Sequence, residues 1–220
     1  MKARTTMGQQ KPEEQEQQQV RIGIFGGTFA PVHNGHVHAA KLFMEQMRLD
    51  YLMVIPTGIS PNKRTDYEDD PVHRLRMCEL AFANMDGVVV ADTEVRRQGI
   101  SYTVDTLREL SAPDRRLLWF CGTDKVLSLD QWHEYKEILN LCYPVYMRRE
   151  QDKMLDGMIV DKLNKYYRET GKMFRKIIGE PLEISSSQIR ERVRRGEDIS
   201  DLVSPFVADY IRANGLYQNV

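Results

Sequence analysis

The sequence is poor in several features that would place it in a specialised class. It has only three cysteines, Cys78, Cys121 and Cys142, odd in number, widely spaced and set among apolar neighbours. That pattern argues against a disulfide framework and for reduced, buried thiols in a cytoplasmic protein. No apolar run approaches the ~18 residues of a membrane span, and the start lacks the apolar core of a signal peptide. Charge of neither sign dominates: 31 basic and 32 acidic residues leave a net charge of −1. Bulk electrostatics therefore gives no reason to expect a nucleic-acid or membrane partner, and a small-molecule ligand fits better. Residues 1–19 lack aromatics and have almost no apolar side chains, so they read as a disordered or poorly ordered tail. No repeat and no linker interrupts residues 20–220, which read as one domain with enough apolar sequence to bury a full core.

Two common nucleotide motifs are also missing. There is no GxGxxG and no GxxxxGK[ST], which removes the dinucleotide fingerprint and the Walker loop. What stands in their place is GGTFAPVHNGH, residues 26–36. It follows Val20, Ile22, Ile24 and Phe25, a β-branched and aromatic run that reads as a buried strand. It precedes His36, Ala39, Ala40, Phe43 and Met47, which repeat at helical spacing after a turn at Asn34-Gly35. A strand-to-helix connection of this kind lies at the carboxyl edge of an α/β sheet. There the helix amino end offers unpaired N–H groups to an anion. Gly26 and Gly27 permit close backbone approach, and His33 and His36 can donate to phosphate oxygens. His33, His36 and His38 have no cysteine or carboxylate beside them to complete a metal site, so no protein-held metal is expected.

Further strands are expected at 51–55, 88–91, 117–121, 143–147 and 174–178. Helices are expected at 35–48, 71–83, 103–110, 125–139, 153–170, 187–195 and 205–214. Their alternation predicts an α/β fold, a doubly wound, mainly parallel, Rossmann-like sheet. Polar residues collect where these strands end. The loop IPTGISPNK is braced by two prolines and ends in Lys63, a point charge suited to a transferring phosphoryl group. SYTVDTL opens a helix with Ser101 or Thr103 as cap. In GTDKVLSLDQW, Gly122 allows close approach, Asp124 suits ribose hydroxyls or a helix cap, and Trp132 offers a flat apolar face or a core contact. In ISSSQIR, Ser185 and Gln188 have capping-box spacing. Three hydroxyls followed by Arg190 form a second anion cradle.

The two phosphate motifs resemble the signatures GGTFDPxHxGH and ISSTxIR of the nucleotidylyltransferase superfamily, and in particular the bacterial nicotinate mononucleotide adenylyltransferases. Lys63 then matches a PxxxxPxK segment, and Ser187 stands in the usual threonine position. The departure is Ala30, where the family usually carries aspartate. The resemblance implies transfer of AMP from ATP, with Mg2+ arriving on the nucleotide, to nicotinate mononucleotide; the setting expected is cytoplasmic, and the oligomeric state is left open, a homo-oligomer being one possibility. It implies that His33, His36, Lys63 and Arg190 act on the phosphates. Gly26, Gly27, Thr28, Phe29, Gly35, Gly122, Asp124, Ile184, Ser185, Ser186 and Ser187 fall on the ATP side. Thr103, Trp132, His133 and Arg148 fall on the acceptor side, with Thr103 at the pyridine carboxylate and Trp132 stacked on the ring. Two other readings stay open: a phosphopantetheine adenylyltransferase-like enzyme, which shares both phosphate motifs but lacks the Trp132 segment, and a nucleotide-binding regulator without turnover, for which Ala30 is the support.

Overall fold

The computed structural model describes residues 19–61, 70–97, 99–148 and 154–218. The tail expected at residues 1–19 falls almost wholly outside them, and so does Lys63. Six strands, β1 Val20–Gly27, β2 Tyr51–Pro56, β3 Val88–Val90, β4 Arg115–Gly122, β5 Tyr143–Met147 and β6 Arg175–Ile177, form one sheet in the order β3-β2-β1-β4-β5-β6. Every neighbouring pair is parallel, so the sheet expected to be mainly parallel is wholly so. Such a sheet needs cover on both faces, and the strand letters supply it by alternation. Along β4, Leu118 and Phe120 enter one core with Phe25, Val54 and Val145. Leu117, Trp119 and Cys121 enter the other with Ile24, Ile55 and Tyr146.

Helices α1 Asn34–Met47, α2 Pro71–Phe82, α8 Ser186–Arg194 and α9 Pro205–Ala213 contribute to the first core. Helices α4 Thr103–Leu110, α5 Thr123–Ser128, α6 Tyr135–Leu141 and α7 Met154–Thr170 contribute to the second. The short helix α3 Thr93–Arg96, not expected from the sequence, lies between β3 and α4. Chain order reverses between β1 and β4, so the carboxyl ends of these two strands open a crevice suited to a ligand.

Three expectations are corrected. The single helix expected at 125–139 is α5, a 3-10 turn at Leu129–Gln131 and α6. Val126, Leu129, Ile138 and Leu139 are all buried, which keeps a helical apolar pattern across the break. The break is made by polar anchoring of Asp130 and by Glu134, whose φ of 48° turns the chain. The cap of α4 is Tyr102, without a side-chain cap bond, and Ser101 is buried rather than capping. Helix α8 starts at Ser186, one residue early, with Ser185 as its cap.

All three cysteines are buried, and no disulfide joins them. Burial pushes the Cys78 and Cys142 thiols up, which makes them inert. Among the described residues no helix is long and apolar enough to cross a membrane.

Candidate active site

A cavity of about 910 Å3 opens at the carboxyl ends of β1 and β4. Gly26, Gly27, Thr28 and Phe29 line it, and so do His33 and His36. A side chain added at Gly26 would meet only the Ile55 carbonyl, at 4.0 Å, so the space beside it is cavity. At Gly27 an added Cβ would lie 3.0 Å from the Phe29 ring. Phe29 itself sits at φ 52°, a conformation uncommon for bulky residues. The missing side chain of Gly27 is what lets that ring fold back against the strand.

The two histidines form one unit. Their rings stack with centroids 3.6 Å apart, and the His33 backbone N–H donates to His36 Nδ1 at 3.2 Å. That bond leaves Nε2 to carry the proton of a neutral His36 ring, making it a donor. Phe29 meets the same ring edge-on at 5.0 Å and fixes its plane. A Cβ on Gly35 would come within 3.0 Å of His33 Nδ1 and 3.3 Å of the Leu182 carbonyl. Gly35 therefore makes room for His33 from behind. With Ile184 it lines a separate space of about 30 Å3 rather than the main cavity.

Ser185, Ser186, Ser187 and Arg190 face the histidine loop across the same cavity. The Ser185 hydroxyl accepts from the Gln188 N–H at 3.1 Å, so the predicted cap is present. Ser186 donates to the Pro31 carbonyl at 2.9 Å, and Arg190 donates to the Ala30 carbonyl at 2.7 Å and to Ser187 Oγ at 3.2 Å. The start of α8 is thus tied to the loop 155 to 160 residues before it. The tie at Ala30 uses the backbone, which any side chain there would supply.

Gly122 and Asp124 line the cavity at the end of β4 and the start of α5, and Asp124 pairs with Lys125 at 2.9 Å. Further lining comes from Tyr102, Thr103, Trp132 and His133. Trp132 presents its ring to Trp119 edge-on at 5.7 Å, and His133 lies 4.5 Å from Tyr102. Arg148 is not among the lining residues; it pairs with Asp156 in the first turn of α7.

Sequence reasoning passed over two buried charges. Arg74 is 2% exposed, and its guanidinium donates to the carbonyls of Thr28 and Gly58, each at 2.9 Å. It joins the histidine loop to the loop that follows β2. Its signal was an arginine within an apolar helical stripe, with Met77, Cys78 and Phe82. Glu94 lines the cavity and accepts from Thr106 Oγ1 at 2.8 Å, while Arg97 donates to the same hydroxyl at 3.1 Å. Burial pushes the Glu94 carboxyl above its usual range, with Thr106, Arg97, Ser101 and Arg74 opposing that shift.

Among the described residues no group of three or more His, Cys, Asp or Glu could hold a metal ion. The polar groups of His33, His36, Ser185, Ser186, Ser187 and Arg190 along the cavity are imidazoles, hydroxyls and a guanidinium, which suit an anion and not a hard cation that needs several oxygen ligands.

The cytidylyltransferase-like family model matches residues 24–192. A Synechococcus protein named a probable nicotinate-nucleotide adenylyltransferase is 35% identical over 203 residues, 91% of this chain and 96% of its own. Its namesake in Albidiferax ferrireducens is 37% identical over 202 residues, 90% of this chain and 98% of its own. The chain belongs to the nicotinate-nucleotide adenylyltransferases of the cytidylyltransferase-like family. A Plasmodium falciparum nicotinic acid mononucleotide adenylyltransferase complexed with NaAD shares the adenylyltransferase fold at a TM-score of 0.71. It is 22% identical, with 90% of this chain and 97% of that chain covered. The same Plasmodium enzyme complexed with APC gives a TM-score of 0.69 over 90% and 96% of the two chains.

Proposed function

We propose that this chain transfers AMP from ATP to nicotinate mononucleotide, forming nicotinic acid adenine dinucleotide and releasing pyrophosphate. The observation that carries the reading is a single cavity that joins a cradle of imidazole, hydroxyl and guanidinium donors, His33, His36, Ser185 to Ser187 and Arg190, to a pocket walled by Trp132, Tyr102 and Thr103. A phosphate chain fits the first part and a flat heteroaromatic ring the second. The relatives' names give the same activity.

In the reaction a phosphate oxygen of the mononucleotide attacks the α-phosphorus in line, and the bond to the β-phosphate oxygen breaks. No residue needs to be covalently modified, so the protein contributes position and charge. We assign His33 and His36 to the α-phosphoryl oxygens, Arg190 and Lys63 to the departing pyrophosphate, and Ser185, Ser186 and Ser187 to the phosphates through hydroxyl and helix N–H donors. Asp124 is assigned to ribose, Trp132 to the pyridine ring, and Thr103 and His133 to its substituent. Mg2+ would arrive with ATP rather than on a protein site and would offset the charge of the phosphates. The proposed setting is cytosolic, with ATP and the mononucleotide as partners.

ATP labelled at the α-phosphorus tests the route. The label is expected in the dinucleotide, with none on the protein. Label retained on the protein, or released only as free AMP, overturns the assignment.

A further inference from the structure

The turn that carries Trp132 is held from outside the cavity. Asp130, whose side chain is only 13% exposed, receives Lys162 Nζ on both carboxylate oxygens at 2.7 and 2.6 Å and Lys165 Nζ at 2.8 Å. Both lysines belong to α7. The Asp130 backbone N–H also donates to the hydroxyl of Tyr166 at 3.3 Å, and that hydroxyl donates to the Val126 carbonyl at 2.8 Å. Two ammonium groups beside Asp130 hold its carboxyl below the usual range. Within the turn, the Trp132 backbone N–H donates to the Leu129 carbonyl at 2.9 Å, which ties the backbone that carries the indole to residues 129–131. The indole meets Trp119 edge-on and is partly buried against the second core.

Partly buried ion pairs such as these add little net stability, because desolvation and side-chain ordering offset their attraction. Their directional bonds do fix register, and two lysines on one carboxylate fix it from two points. We propose that Asp130, with Lys162, Lys165 and Tyr166, forms an anchor on α7 that sets the placement of Trp132 and thereby the affinity for the aromatic acceptor. None of the four lines the cavity. They are positioning residues, acting through Trp132, and the inference rests on the proposed transfer to nicotinate mononucleotide.

Steady-state kinetics of the full chain carrying Lys162→Met and Lys165→Met test it, with melting temperature measured beside them. The side chains removed are partly exposed, and Tyr166→Phe provides a second variant that deletes only a hydroxyl. The anchor predicts a KM for nicotinate mononucleotide raised about fivefold or more, with the KM for ATP and kcat within about twofold of wild type. Lys162→Arg should restore most of the loss when Lys165 is kept. A lowered melting temperature with both KM values unchanged overturns the anchor and leaves a purely structural contact. Equal rises in both KM values also overturn it. Absence of wild-type turnover with nicotinate mononucleotide is a separate result, which removes the function and the anchor's role together.

Discussion

Apart from Lys63, which lies outside the described residues, the side chains assigned to the phosphate end of the cavity come from two short contiguous segments, residues 26–36 and 185–190, and the segments bond directly to one another through Arg190, Ser186 and the carbonyls of Ala30 and Pro31. At the end assigned to the acceptor, Thr103, Trp119 and Trp132 come from three separate elements, with Thr106 and the Asp130 contacts to α7 lying outside the cavity wall and Glu94 on it. The first region is made of two locally encoded segments joined by a few long-range bonds. The second is assembled by tertiary contacts, so the same chemistry can be tuned there by residues that never meet a ligand. Phosphates are common to every reaction of this type and tolerate a fixed cradle. The acceptor is what distinguishes one such enzyme from another.

This contrast predicts a graded set of losses. His36→Ala removes a donor from the cradle and should lower kcat by about 10²-fold or more, in line with the loss of one transition-state donor. Its melting temperature should stay near that of wild type. Turnover within tenfold of wild type would break the assignment of the histidine pair. Arg74→Met comes next, because it leaves the Thr28 and Gly58 carbonyls without their buried donor at about 1–3 kcal/mol each. Chemical denaturation should show a loss of roughly 2–4 kcal/mol, and both KM values should rise as the two loops separate. A variant of unchanged stability would show that these loops hold without the arginine.

Trp132→Ala sharpens the comparison, since it lies only at the acceptor end. Stacking of a base on an aromatic side chain is worth about 1–3 kcal/mol, so the KM for the mononucleotide should rise about tenfold with that for ATP nearly constant. Equal effects on both substrates would erase the division of the cavity. The smallest effect concerns Glu94. Its carboxyl is held above the ordinary value of 4.5 by burial, so the folded chain holds that proton more tightly than the unfolded chain does. Stability therefore falls as pH rises from that value through the folded one. Glu94→Gln, which keeps an acceptor for Thr106, should remove this part of the decline. Its melting temperature relative to wild type should be more favourable at pH 8 than at pH 4. A constant difference across that range would contradict the charge effect.

The legibility of the sequence follows the same division. The alternation of strands and helices is carried by local apolar spacing, and most boundaries lie within two residues of expectation, as at β5 Tyr143–Met147. The histidine loop and the cap at Ser185 are contiguous, so their spacing was enough. Arg74 and Glu94 were hidden because a buried charge is recognised by what surrounds it, and their partners Thr28, Gly58 and Thr106 lie 46, 16 and 12 residues away. The break at Leu129–Gln131 was hidden because apolar spacing on both sides mimics one helix. Lysines more than 30 residues onward make the difference. Ala30 reads as a gap in the signature, yet the contact made there is a backbone carbonyl to Arg190.

The most direct measurement is the initial rate of pyrophosphate release by the full chain with ATP and Mg2+, taken in parallel with nicotinate mononucleotide, nicotinamide mononucleotide and phosphopantetheine. The account predicts release with the pyridine mononucleotides, fastest with nicotinate, and none above background with phosphopantetheine. Release with phosphopantetheine alone, or ATP binding without release on any acceptor, would contradict it.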